Sequence, residues 1–304
     1  MATNEIKKNI IKRLLFSGAF VIAMIFIMIS VSFSWMNNNS RAKVSNIQVE
    51  VVEANNLLVK AENGDEWSKT VRMDFKEGFK MRSVCGDGKN FYDPILSHTD
   101  DSNDFVAIGY EAISGTLEDS GIYEFAFSCM VENSLTVYLD KESSLTPAEN
   151  SNSSAYGDFS AGYICAAMRV AFFQRVDGEY VLRCIWIPNS TTELDPSASI
   201  SLKTENGAVE DSYVFVSGKD GSDSIVIETK GEPYGSQEID NITYVWGDLE
   251  ENLEIGSTEE NTQQDFKLVL WIDGQDRECH NALMDGLVSV NLKILVDDKI
   301  EKGE

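Results

Sequence analysis

The chain has 304 residues, enough for one large domain or two small ones. Hydrophobic residues make up 43% and charged residues 25%, a balance that excludes collagen, low-complexity disorder and a polytopic membrane protein. The net charge is −25 and unevenly spread. Residues 1–43 hold six bases (Lys7, Lys8, Lys12, Arg13, Arg41, Lys43) and one acid (Glu5), leaving −30 on the rest. Such a surface repels nucleic acid and anionic lipid and suits cations or cationic partners.

Residues 1–13 form a basic n-region, with IKKNIIKR at 6–13, and residues 14–35 carry no charge. Twenty-two residues of helix rise about 33 Å, enough to cross a hydrocarbon core of roughly 30 Å. Bases before the stretch outnumber those just after it, which predicts a cytoplasmic N-terminus and an external remainder. Two readings stand. One is an uncleaved membrane anchor. The other is a signal peptide cut after Ser34, where Ser32 and Ser34 give a small-x-small pattern and Trp35 becomes the new N-terminus. A polar spacer follows at 36–43, and 44–304 is expected to be one extracellular domain.

Past the spacer, period-two patterns recur between turn residues. Residues 45–51, 71–75, 122–131, 163–173 and 287–296 each place apolar side chains on one face, the mark of a half-buried strand. Weaker strand candidates lie at 105–113, 135–139, 179–187, 213–216, 224–229, 242–246 and 266–272. Helical periodicity is nearly absent after residue 36, with one short candidate at 277–284. The five prolines sit in turn-like stretches. Long loops are expected at 140–160, which is Ser/Asn-rich, and at 247–263, which is acidic. The pattern predicts an all-β fold, an antiparallel sandwich or jelly roll after one N-terminal hydrophobic helix.

Five dispersed cysteines (Cys85, Cys129, Cys165, Cys184, Cys279) do not form a disulfide framework. A two-residue turn at Asp177-Gly178 places Cys184 opposite Ala171 and Trp186 opposite Arg169, and keeps Cys165 about 20 Å from Cys184. Trp186 then reads as a packing residue, with a cation–π pair to Arg169 as the alternative, and Cys129 reads as a core residue.

Catalytic signals are weak. His98 and His280 are the two histidines, and H-E-x-x-H, G-x-S-x-G, P-loop and G-x-G-x-x-G motifs are absent. Ser40-Arg41-Ala42-Lys43 matches S-x-x-K by chance in the spacer. The reading is therefore no enzyme, no catalytic residues and no cofactor. Asp93, Asp100, Asp101, Asp104, Asp220 and Asp223 crowd two turn-rich segments as weak Ca²⁺ candidates, because hard oxygen ligands suit that ion. Neither segment has EF-hand spacing. Sequons at Asn38, Asn152, Asn189 and Asn241 matter only in a eukaryote.

Several segments taken together resemble a known group. They are Ser34-Trp35, Asn56-Leu57-Leu58-Val59, Asn63-Gly64-Asp65-Glu66-Trp67 and Asp87-Gly88-Lys89-Asn90-Phe91-Tyr92-Asp93-Pro94. Met168-Arg169-Val170-Ala171-Phe172, Ile185-Trp186-Ile187-Pro188-Asn189 and 270–279 (LWIDGQDREC) complete the set. Their order is similar to uncharacterised exported proteins of clostridia-like Gram-positive bacteria, over most of the chain except 205–262. The leader is more distantly similar to those of TasA/camelysin-type matrix proteins, which depend on a SipW-type signal peptidase. That wider group comprises jelly-roll subunits of extracellular fibres, some carrying a metallopeptidase label. The present leader differs in lacking Ala-x-Ala and in having Met36 where Phe often follows Trp. The resemblance implies export and a jelly-roll fold.

The expectation is a surface or matrix structural protein, tethered through 14–35 or released and self-associating. In the second case Ile47, Val49 and Val51 would form a donor strand filling a neighbour's groove. The alternative is an anchored adhesin-like or Ca²⁺-dependent module for a glycan or protein ligand, bound at loops. The end of the chain, LVDDKIEKGE, carries no L-P-x-T-G-like sorting signal.

Overall fold

The computed structural model describes residues 41–51, 57–62, 64–73, 81–98, 105–147, 165–188, 212–218, 224–230, 232–274 and 287–297. The apolar stretch 14–35, the expected processing residues Ser32, Ser34 and Trp35, and the helix candidate at 277–284 lie outside them. Among the described residues no helix is long and apolar enough to cross a membrane.

In chain order the described strands are β1 (Arg41–Val51), β2 (Leu58–Ala61), β3 (Thr70–Met73), β4 (Met81–Gly86), β5 (Phe91–His98) and β6 (Phe105–Ala112). Next come β7 (Tyr123–Met130), β8 (Leu135–Leu139), β9 (Ser144–Pro147), β10 (Met168–Val176), β11 (Glu179–Ile187) and β12 (Ser212–Phe215). The last are β13 (Ile225–Glu228), β14 (Gly235–Ile239), β15 (Ile242–Trp246), β16 (Leu253–Thr258), β17 (Gln264–Asp273) and β18 (Leu287–Asp297). The fold is all-β, and all these strands fall in one unit, Ser40–Glu304.

Alternation of apolar residues assembles two packed layers. One layer carries β3, β1, β18, β8 and β16, with β9 beside β18. The other carries β14, β15, β11, β10 and β17, with β7 and β2 beside β17. β4 pairs with both β1 and β17 and joins the layers. Val49, Leu139, Val290, Leu292 and Ile294 of the first layer share one core with Phe127, Val170, Phe172, Trp186, Phe266 and Leu270 of the second. The pairing is mixed and not purely antiparallel: β1 with β18, β11 with β15, and β17 with β4 run parallel.

β10 and β17 are buried on both faces, not half-buried. The near-continuous run Met168 to Phe173 sends Val170 and Phe172 into the first core, while Ala171 and Phe173 enter a second. That second core lies on the far face of the same layer, where the β12–β13 hairpin contributes Tyr213, Phe215 and Ile227. Strands buried on both sides lose the alternation that marks a solvated face.

The turn at Asp177-Gly178 forms as expected, with both residues at positive φ (51° and 90°), the type I′ requirement. The register beyond it differs by one residue. A bulge at Arg183 sets Cys184 opposite Phe172 and Trp186 opposite Val170. Trp186 therefore does not meet Arg169. Its indole Nε1 donates to the Gly247 carbonyl at 2.9 Å, and the ring facing Arg169 is Tyr213, 5.2 Å away.

Several boundaries shift. β1 begins at Arg41, inside the expected spacer. β9 and β16 occupy parts of the expected loops 140–160 and 247–263. Pro94 lies within β5 opposite Tyr110, and Pro147 ends β9 opposite Val288, instead of in turns. Both positions tolerate a missing N–H. Pro94 is past the β4 pairing, and β9 pairs only with β18 among the described strands.

Candidate functional site

β1 is the element the sequence marked for assembly. Its register sets Ile47 opposite Val290 on β18 and opposite Met73 on β3. Val49 is fully buried and Val51 is 7% exposed, both within the chain's own core. Each buried valine contributes roughly 1.5–3 kcal/mol relative to exposure. The strand thus fills a groove of its own chain, between the last described strand and β3. A role as donor to a neighbour requires it to leave that place.

The acidic candidates do not come together among the described residues. Asp93 lies on β5 and is spent on an ion pair, in which the two terminal guanidinium nitrogens of Arg82 meet its two carboxylate oxygens. Arg82 Nε donates at 2.7 Å to the Ser120 carbonyl, which fixes the fork. Asp100, Asp101, Asp104, Asp220 and Asp223 lie outside the described residues, as do Cys279 and His280. His98 closes β5 opposite Phe105. Among the described residues no group of three His, Cys, Asp or Glu side chains is placed to hold a metal ion.

Sequence reasoning missed a polar network on the outer face of β7, β17 and β10. Ser128 Oγ donates to Asp265 Oδ1 at 2.8 Å, and Gln263 Nε2 donates to both. Arg175 Nη1 reaches Asp265 Oδ2 at 3.3 Å. Burial works against ionisation of Asp265, yet hydrogen bonds from Gln263, Ser128 and Arg175 hold its carboxyl below the usual value. Beside it Lys267 pairs with Glu124 at 3.0 Å and stands 4.9 Å from the ring centres of Phe173 and Tyr180. Only the pairing of Asp265 with Ser128 across 137 positions brings these groups together.

A groove opens between β15 and the turn leading to β16, lined by Val245, Trp246, Asp248, Leu249, Glu250 and Glu251 among others. Trp246 packs over Gly235, where an added Cβ would clash with the indole, and its Nε1 donates to the Glu232 carbonyl at 3.0 Å. No motif singled out this groove, because Asp248 to Leu253 lay in an expected acidic loop and Val245 and Trp246 in a strand candidate.

Cys129, Cys165 and Cys184 are buried free thiols, and Cys85 is also buried. Burial pushes the Cys165 thiol up to about 12 and those of Cys129 and Cys184 higher still, which keeps them protonated and unreactive. No protein-family model matches the chain, and a comparison with curated proteins finds no match.

Proposed function

We propose that the chain is a non-enzymatic structural protein of a bacterial surface or extracellular matrix, exported through residues 14–35. The observation that carries this reading is the place of β1. Only five residues separate Trp35 from Arg41, the start of a strand built into the sandwich core. Five extended residues span at most about 18 Å. An intact leader therefore leaves a connection of only five residues between the apolar stretch and β1. A leader cut before Trp35 leaves β1 as the terminal element of a released subunit, with a free end from which it can exchange between copies. The acidity of the exported part fits solubility outside the cell.

The test is the intact mass and N-terminal sequence of the native protein from its own cells, followed by electron microscopy. A chain beginning at Trp35 that forms fibres supports the assembly form of the proposal. A full-length chain retained in the membrane supports the tethered form. A full-length chain in the cytosol overturns both, and a released chain that stays monomeric under all conditions overturns assembly.

A further inference from the structure

The two layers of the sandwich are offset at one side. β16 packs beneath β10 and β11, and β15 and β14 extend the other layer past it. Under this overhang lies the groove, a cavity of about 250 Å³. Its floor is apolar, with Val245, Leu249 and Leu253. Its rim carries the exposed carboxylates of Asp248, Glu250 and Glu251, and no Lys or Arg is among the described residues that line it. Tyr234, 49% exposed, also lines it.

Three features select the occupant. The volume is below the roughly 300–1,000 Å³ typical of small-molecule pockets, so it suits side chains and not a whole ligand. β14 is an open edge among the described strands, pairing only with β15. Residues that close a two-residue turn form a hydrogen-bonded pair, so past the Asp240-Asn241 turn Ser236 and Glu238 point their N–H and C=O groups away from β15. That edge can pair with an extended backbone. Finally, the carboxylate rim over an apolar floor complements a long cationic side chain, whose methylenes cover the floor while its head stays at the rim.

We propose that this groove and the β14 edge dock an extended basic segment of a partner protein, with lysine or arginine at alternate positions. The inference stands apart from the question of assembly, since it needs only the folded sandwich.

The test uses the full-length chain in nonionic detergent and the fluorescent peptide KTKTKTK, read by anisotropy at low salt. Binding should weaken about tenfold in D248N/E250Q/E251Q, the loss expected from three exposed ion pairs. The variant E132Q/E179Q/E259Q removes the same charge from exposed positions elsewhere and should keep wild-type affinity. A peptide with lysines shortened to 2,4-diaminobutyrate keeps its charge, loses stem length and should bind more weakly. The proposal is overturned by no binding, by equal binding of ETETETE, or by equal losses in the two triple variants, which would mark the general acidic field as the attractant.

Discussion

Gln174 reaches through the sandwich to Ser257: its side-chain Nε2 donates to the Ser257 carbonyl at 2.7 Å, while its Oε1 accepts from Arg183 Nε at 3.0 Å. Both ends of this bridge are irregular. Arg183 is the bulged residue of β11, and the β16 register shifts between Glu254 and Gly256. One buried amide therefore connects the bulged Arg183 of β11 to a carbonyl of β16 on the facing layer, just past the register shift of that strand.

Gln174→Leu should cost about 1–3 kcal/mol, the loss of two hydrogen bonds at about 0.5–1.5 kcal/mol each. Gly256→Ala should also destabilise, for two reasons. Its φ is +149°, and the new Cβ would meet Gln174 Oε1 at 2.7 Å. In a Gln174→Ala background that clash is removed, so the alanine should cost less there. Urea denaturation of the single and double variants measures the coupling; strict additivity would refute the contact.

Arg169 is fully buried beside Asp273, itself 1% exposed, with Nε 3.7 Å from Oδ2 and Nη1 donating at 2.9 Å to the carbonyls of Ala166 and Met168. Removing one partner strands a buried charge. Arg169→Met should cost about 3–5 kcal/mol, and the double change with Asp273→Leu should recover much of it. Asp273→Leu alone completes the cycle in urea, and single costs that simply add in the double variant would show that the pair is not coupled.

Asp265 sets an acid limb. Its folded carboxyl lies below the ordinary value of 3.8, so between those two values the unfolded chain binds more protons than the native one. Stability from this group is complete above the ordinary value and is lost as pH falls through the lowered native one. The stability gap between wild type and Asp265→Asn should be constant above about pH 5 and should shrink below about pH 4. Urea midpoints at three pH values test this; a gap that widens in acid refutes it.

The four described cysteines should resist a thiol reagent in the native state. At most one thiol per chain, that of Cys279, should react before unfolding, and all five should react in guanidinium. Rapid native modification of Cys129 or Cys184 would contradict their burial.

Much of the fold was legible locally. Val288, Val290, Leu292, Ile294 and Val296 alternate with Ser289, Asn291, Lys293 and Leu295 and became β18, buried on that one face. The Asp177-Gly178 turn was readable because only a left-handed pair closes so short a hairpin. Other elements gave little signal. β9 buries one large side chain, Leu145, and the β14 stretch GSQEI is polar because its strand is an edge. The candidate sites were less legible still. Asp93 looked like an ion ligand until β4 brought Arg82 against it, and the three groove carboxylates looked like an ordinary acidic loop.

The sequence by itself determined the uncharged stretch 14–35, the strong acidity of everything after it, and the all-β class, since each follows from composition or from a period of two. Tertiary structure decided the rest. It placed β1 parallel to β18 inside the chain's own core, shifted Cys184 and Trp186 by one residue, joined Ser128 to Asp265, and set an apolar floor beneath Asp248, Glu250 and Glu251. The reason is physical. Periodicity reports which face of a strand is buried, whereas partner, register and layer offset depend on bulges and on contacts between residues distant in the chain.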